Sequence, residues 1–188
     1  MPRNIEIKAR IESIQTLIPR ASAISNDGPI EIRQDDTFFA CINGRLKLRA
    51  FSETEGELIF YRRANQSGPK ESYYVRTPTT SPASLREALT QAYGQTGRVQ
   101  KRRTLFLTGR TRIHLDEVKD LGHFLELEVV LGEGESADSG IEEAHSLMAK
   151  LGVEPSQLVK EAYVDLLATK EHWPHHAEMG CFATATSK

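Results

Sequence analysis

A strictly alternating stretch opens the chain: residues 4–10 read Asn4-Ile5-Glu6-Ile7-Lys8-Ala9-Arg10. Successive side chains of a β-strand point to opposite faces, so the two isoleucines and the alanine share one face and the polar residues share the other. A second strand of this kind, Phe124-Leu125-Glu126-Leu127-Glu128-Val129, carries two carboxylates on its polar face, about 7 Å apart. Both stretches predict strands that are apolar on one side and charged on the other.

Cations line other strands in the same way. Residues 45–49, Arg45-Leu46-Lys47-Leu48-Arg49, have one wholly basic face, and residues 110–116 place Arg110, Arg112, His114 and Asp116 on one face. Lys101 and Arg103 form a similar pair. A half-solvated antiparallel sheet explains any single strand of this type. It explains the set less well, because a solvated face would include more neutral polar residues, whereas here at least six strands carry charged residues on one face and the two glutamates share a single strand.

The remaining pattern predicts an α+β fold built on an eight-stranded antiparallel barrel with flanking helices. Further strands are expected at 30–33, 36–42, 57–63, 72–76, 100–107 and 110–118, with a type I′ turn at Asn43-Gly44 and a turn-capping role for Asp35-Asp36. Helices are expected at 11–24, where Pro19 kinks or stops the helix, after Ser81-Pro82, at 141–151, and from Ser156 to about 168. Residues 132–140 are polar and acidic and are predicted to form a mobile linker.

Composition limits the class of protein. The 188 residues are enough for one globular domain, expected at 1–170, with a disordered tail at 171–188. Two distant cysteines fit a reducing cytosol, and the sequence shows neither a signal peptide nor a membrane span, so we expect a cytoplasmic protein. Residues 33–112 hold 15 Lys and Arg against 7 Asp and Glu, whereas the remainder is acidic. A basic middle suggests an anionic partner.

The helices need an apolar surface to cover, which determines where the charges point. If the helices cover the Ile and Leu face from outside, the charged face lines the barrel. Unpaired charges in a dry core are too costly, so the lumen must hold water and a compensating ligand. Convergent Lys and Arg suit phosphate oxygens, and carboxylates beside a polyanion suit Mg²⁺ or Mn²⁺. The residues thus predict a metal-bound polyphosphate inside the barrel.

Several stretches also resemble one family. Residues 4–8 resemble the N-terminal Glu-x-Glu-x-Lys signature of the CYTH superfamily, the triphosphate tunnel metalloenzymes that include class IV adenylyl cyclases and thiamine or inorganic triphosphatases. The blocks at 34–39, 45–49, 99–103, 112–116, 121–128 and 163–167 resemble later family blocks in the right order. The resemblance covers about residues 3–168. It implies an eight-stranded tunnel in which acidic residues hold one or two divalent ions and basic residues grip a triphosphate.

The resemblance also implies roles for individual residues. The expected metal ligands are Glu6, Glu126 and Glu128. The expected triphosphate contacts are Lys8, Lys47, Arg49, Arg63, Lys101, Arg103 and Arg112. Lys8 and Asp116 are the catalytic candidates, the latter as a metal-facing group or base. Asn4 departs from the family pattern, because it stands where the first glutamate is expected and removes one negative charge. Alternation admits only one of Arg62 and Arg63 to the lumen.

Three functions remain open on the sequence. The first is a class IV adenylyl cyclase-like enzyme that converts ATP to cyclic AMP and pyrophosphate with Mg²⁺ or Mn²⁺. The second is a triphosphatase acting on tripolyphosphate, thiamine triphosphate or another organic triphosphate, and the third is a polyphosphate or nucleotide binding module without catalysis. A homodimer is one expectation, whereas nucleic acid and membrane partners are not expected. His114 is predicted to hydrogen-bond structurally or act as an acid or base. The tail residues His172, His175, His176, Glu178 and Cys181 could ligate a transition metal, but a disordered tail is favoured.

Overall fold

The computed structural model describes residues 3–63 and 68–171. Within them lie eight strands: β1 (Arg3–Ile11), β2 (Asp27–Phe39), β3 (Arg45–Ala50), β4 (Gly56–Arg63), β5 (Lys70–Thr79), β6 (Gln95–Thr108), β7 (Thr111–Val118) and β8 (Gly122–Leu131). The helices of this part of the chain are α1 (Ile14–Ile24), α2 (Pro82–Tyr93), α3 (Ala137–Leu151) and α4 (Tyr163–Glu171), with a 3₁₀ turn at Pro155–Gln157. The strands form a closed barrel in the order β1-β5-β4-β3-β2-β6-β7-β8, with every pair antiparallel. The predicted fold class is confirmed.

Helices cover the apolar outer face of the barrel. α1 and α3 pack on β1, β7 and β8, and the shared core includes Ile5, Ile7, Leu17, Ile113, Leu125, Leu127, Leu147 and Leu151. α2 lies on the opposite side, where Leu89 packs against Phe39 and Leu48. Because side chains alternate, the ionisable residues of the same strands face the lumen. No helix in the described part of the chain is both long enough and apolar enough to cross a membrane.

β2 differs from the sequence prediction. It runs without a break from Asp27 to Phe39, so the expected turn at Asp35-Asp36 is wrong. Both aspartates are held in the strand by pairing on two sides, Asp36 opposite Arg49 of β3 and Val99 of β6. The β2–β3 pairing ends at Phe39 and Leu46, which makes the connection longer than the predicted two-residue turn. Ala40 N donates instead to Gly94 O, at 3.3 Å, so the chain leaves β3 at this point.

The helix boundaries also differ from the prediction. α1 begins after Ser13, whose hydroxyl accepts a hydrogen bond from Gln15 N, and it continues through Pro19. α3 begins at Ala137, within the stretch predicted as a linker. The expected single helix from Ser156 is interrupted, because Val159 N donates to Lys8 O at 2.9 Å and Leu158 bridges to Ala9. This segment therefore pairs with β1, and α4 starts only at Tyr163.

Both boundary predictions for the chain, the single domain and the disordered tail, remain predictions. The single domain at 1–170 stays a prediction, although the barrel and its helices occupy the described residues up to 171. Residues 172–188, which hold most of the predicted tail and the five tail residues considered for a transition metal, lie outside the described residues.

Candidate active site

The barrel encloses a cavity of about 300 Å³ that collects the predicted site residues. All seven predicted triphosphate contacts and all three predicted metal ligands line it: Glu6, Lys8, Lys47, Arg49, Arg63, Lys101, Arg103, Arg112, Glu126 and Glu128. Asn4 and His114 also line it, whereas Asp116 does not. The predicted residues come from six strands, β1, β3, β4, β6, β7 and β8, and they converge on one space. Their roles in binding or catalysis are not tested by this placement.

Asp116 lies behind the cavity wall and is fully buried. Arg103 donates to both of its oxygens at 2.6 Å, while Lys101 Nζ and the Tyr163 hydroxyl each donate to Oδ2 at 3.0 Å. Burial works against the charged form, but Arg103 and Lys101 hold the pKa of Asp116 well below its usual range. A carboxylate so fully bonded is poorly placed to accept a proton from substrate. The geometry favours a role in orienting Lys101 and Arg103.

Residues 160–165 lie across this end of the barrel, and we call them the closing segment. The Tyr163 ring packs against Phe124, with centroids 4.9 Å apart, and Lys8 Nζ lies 4.1 Å from the Tyr163 centroid. Lys8 Nζ also donates to Glu161 O at 3.1 Å. The Arg45 guanidinium pairs with Asp165 at 2.6 Å. These contacts fix the closing segment to β1, β3 and β8.

Gly97 of β6 lets the closing segment approach the barrel. A Cβ added to Gly97 would lie 2.5 Å from Val164 Cγ2, well inside van der Waals contact. Val164 belongs to the core that Tyr163 shares with Val99 and Phe124. A larger residue at position 97 would therefore require the Val164 side chain to shift.

Asp36 holds a second group of cations. Lys47 Nζ donates to its Oδ2 at 2.7 Å, and Arg49 donates to both oxygens at 2.8 Å. Asp35, its neighbour, points outward and pairs with Arg98 at 2.5 Å. Burial, followed by repulsion from Arg49, lowers the pKa of Lys47 to about 7 despite the attraction of Asp36. Lys47 and Arg49 are thus both paired with the Asp36 carboxylate.

Arg63, and not Arg62, faces the lumen. Its guanidinium forms a short ion pair with Glu6, and its Nε and Nη2 atoms are buried without a hydrogen-bond partner among the described residues. Arg62 is exposed and donates from Nε to Asn43 O at 2.7 Å. Buried donors of this kind are costly unless a ligand satisfies them. Arg63 therefore has the geometry of an anion-binding group.

Oxygen and nitrogen donors that suit a divalent cation meet on β7 and β8. His114, Glu126 and Glu128 each offer a ligand atom, and these atoms lie within 4.8 Å of one another. Glu6 is not part of this group. Glu126 is also contacted by Arg103 at 2.6 Å and by Lys8 at 3.2 Å. Burial opposes ionisation of Glu126, but Lys8 and Lys101 hold its pKa well below the usual range, so it is a carboxylate.

Some lumen residues escape the sequence pattern. The pattern gives Asp36 a turn-capping role at the start of a strand, and it leaves Lys70 in a loop. Lys70 is almost fully buried and donates to Lys160 O at 3.2 Å. It indicates Tyr163 only as part of a C-terminal helix. The alternation of Lys70 with buried Ser72 on β5 is the available signal for the lysine. The predicted hydrogen-bonding role of His114 finds no partner at Nδ1 among the described residues.

The sequence of this chain matches a known protein family. A family model described as CYTH domain matches residues 2–163. The chain belongs to the CYTH family. Members of this family process triphosphate substrates and generally depend on divalent metals. No match to this CYTH domain was found among curated protein sequences.

Solved structures share the fold of this CYTH domain. The protein PH1012 from Pyrococcus horikoshii is 18% identical, with 87% of this chain and 98% of that chain covered at a TM-score of 0.76. A "putative adenylate cyclase" from Vibrio parahaemolyticus is 17% identical, with 88% and 97% covered at a TM-score of 0.69. HpAC1 from Hippeastrum, a "putative adenylyl cyclase" with a dominant triphosphatase activity, is 14% identical, with 89% and 95% covered at a TM-score of 0.61. At these identities the similarity establishes the shared fold alone.

Proposed function

We propose that this CYTH domain is a divalent-metal-dependent enzyme that converts ATP to cyclic AMP and pyrophosphate. One observation carries the proposal: seven predicted cations and three predicted carboxylates line a single cavity of about 300 Å³. That volume lies in the range of small-molecule sites. Within it, Arg63 presents buried donors that lack a partner among the described residues, and phosphate oxygens would supply one.

The chain's own cations would bind and orient the triphosphate. Arg63 and Arg112 offer planar guanidinium groups, which match phosphate oxygens in geometry. Asp36 and Asp116 act as positioning residues, because each holds a lysine and an arginine of the cavity wall in place. Lys8, beside Glu126 and the Tyr163 ring, places a positive charge in the lumen. Such fixed charges stabilise the negative charge that develops on the leaving pyrophosphate.

The residues fit a divalent cation. Glu126 and Glu128 supply the hard carboxylate oxygens that Mg²⁺ and Mn²⁺ prefer, and their ligand atoms lie within the 4.8 Å group on β7 and β8. Glu6 pairs with Arg63 and lies outside this group. Glu126 would have to share its oxygens between the cation and its partners Arg103 and Lys8. When bound, the cation would lower the pKa of the attacking hydroxyl and neutralise phosphate charge.

The cavity lining also includes groups that suit an organic part of the substrate. Apolar and aromatic side chains line it beside the charged residues, including Ile32, Phe51, Ile59, Tyr74 and Leu105. The Arg76 side chain, which also lines the cavity, is 51% exposed, so the cavity reaches solvent there. A flat nucleobase would bury apolar surface against these residues while the phosphates extend inward. This lining supports ATP over an inorganic polyphosphate.

A triphosphatase is the second candidate. The fold neighbour HpAC1 has a dominant triphosphatase activity, and the same cations would bind tripolyphosphate, thiamine triphosphate or another organic triphosphate. Water would then attack the terminal phosphorus. Binding without catalysis is the third candidate. A cytoplasmic location and a homodimeric state remain predictions.

Product analysis tests these proposals. The purified chain is incubated with ATP, thiamine triphosphate and tripolyphosphate, first with Mg²⁺ and then with Mn²⁺. Cyclic AMP and pyrophosphate from ATP are expected. Orthophosphate from any substrate without cyclic AMP would replace the cyclase proposal with the triphosphatase. Tight binding with no product in either metal would leave only the binding module.

A further inference from the structure

His114 has no role in the proposed reaction, although its side chain lies beside Glu126 and Glu128. We call these three residues the acidic group. On β7 it stands opposite Glu126 of β8, and the neighbouring register pair is Arg112 with Glu128. All four side chains line the cavity. Ligand atoms of His114, Glu126 and Glu128 come within 4.8 Å of one another, so these three residues could hold a metal ion.

A second observation points to a ligand. The His114 side chain is 5% exposed, and its Nδ1 atom is buried without a hydrogen-bond partner among the described residues. The Oε1 atom of Glu128 lies 3.8 Å from it, too far for a hydrogen bond. A buried ring nitrogen beside two carboxylates needs either a proton to donate or a cation to ligate.

We propose that His114 coordinates the divalent cation together with Glu126 and Glu128, and that this imidazole makes the site select Mn²⁺ over Mg²⁺. Mg²⁺ prefers oxygen ligands in near-ideal octahedral geometry, whereas transition metals accept imidazole nitrogen readily. The inference rests on the proposed cation but not on the reaction.

Two measurements on the full chain test the proposal. Titration calorimetry gives the affinities for Mn²⁺ and Mg²⁺, and pulsed electron paramagnetic resonance of one equivalent of Mn²⁺ detects nitrogen bonded to the ion. In His114→Gln we expect the nitrogen signal to disappear and Mn²⁺ affinity to fall by about tenfold or more, the scale seen when metal sites lose a supporting group. Mg²⁺ affinity should change much less, because glutamine keeps an oxygen.

Matched variants separate the alternatives. His123→Gln removes a histidine of β8 whose Nδ1 lies 3.0 Å from Glu12 O, and it should leave both measurements unchanged. His114→Leu replaces His114→Gln if the latter fails to fold. Bound Mn²⁺ without a His114-dependent nitrogen signal, equal losses of Mn²⁺ and Mg²⁺ affinity, or no Mn²⁺ binding would each overturn the proposal. A His114-dependent nitrogen signal without turnover of any triphosphate would support this inference and contradict the proposed enzyme. Turnover with a cation bound only by oxygen would support the proposed enzyme and contradict this inference.

Discussion

Two parts of the lumen are built from similar residues but differ in how fully their polar atoms are bonded. At the closing segment, Asp116 accepts hydrogen bonds from Lys101, Arg103 and Tyr163. Nearer the acidic group, Arg63 and His114 keep buried nitrogens without a partner in the described part of the chain. Charge therefore does not distinguish a structural group from a binding group in this barrel. Hydrogen-bond saturation does, because saturated groups rigidify the fold and unsatisfied groups await a ligand.

The largest effect is expected from Asp116→Ala. Removing this carboxylate leaves Lys101 and Arg103 buried without their anion, and breaking a buried pair in this way costs ~3–5 kcal/mol of unfolding free energy. Chemical denaturation measures the loss. Asp35→Ala is the control, because Asp35 is partly exposed and its pair with Arg98 is a surface contact, worth about 1 kcal/mol or less. Equal unfolding free energies of the two variants would contradict a structural role for Asp116.

Glu128→Gln tests the opposite part of the lumen. It removes one negative charge from the proposed metal site and should lower metal-dependent turnover by about 100-fold, or ~2.7 kcal/mol. Its ion pair with Arg112 is partly exposed, so unfolding free energy should change by less than ~1 kcal/mol. Glu133→Gln, at an exposed position, should change neither quantity. Full activity of Glu128→Gln would show that this carboxylate does not hold the cation.

Arg63→Lys sharpens the comparison further. The substitution keeps the positive charge but removes the planar donors that lack a partner, so tripolyphosphate affinity should fall by about tenfold, or ~1.4 kcal/mol. Calorimetry at fixed salt concentration measures the change. Arg62→Lys is the matched control on the outward face of β4, and there we expect no effect on binding. If Arg62→Lys weakened binding as much, the anion would lie outside the barrel.

The smallest effect concerns pH. The pKa of Lys47 is lowered to about 7 by burial, followed by Arg49, so the lysine is charged below that pH and loses its charge as pH rises through it. Tripolyphosphate affinity of the wild type should therefore fall more between pH 6 and pH 8 than that of Lys47→Arg, which keeps its charge. The extra loss should be about fivefold or less, under ~1 kcal/mol. Parallel pH profiles of the two proteins would rule out Lys47 as the titrating contact.

The sequence predicts the barrel because alternation records which side chains share a face, and sorted charges show which face points inward. The same rule is enough to place Lys8, Arg49 and Glu128 in one lumen. It fails at Asp36, because two adjacent aspartates are typical of turns and only pairing with β3 and β6 holds them extended. The alternation rule also cannot tell the role of His114 from that of Asp116, since both occupy one face of β7. Their difference arises from Tyr163, which reaches Asp116 from a distant part of the chain.

The closing segment has a consequence for the order in which products leave. Lys8 and Arg45 anchor it across one end of the barrel, while the half-exposed Arg76 marks where the cavity meets solvent. A nucleotide that enters with its phosphates foremost places the nucleoside between the pyrophosphate and the exit. In the proposed cyclase reaction, cyclic AMP would then depart first and pyrophosphate would follow it. Pyrophosphate would accordingly compete with ATP for the free enzyme, whereas cyclic AMP would bind in front of retained pyrophosphate and reverse the reaction.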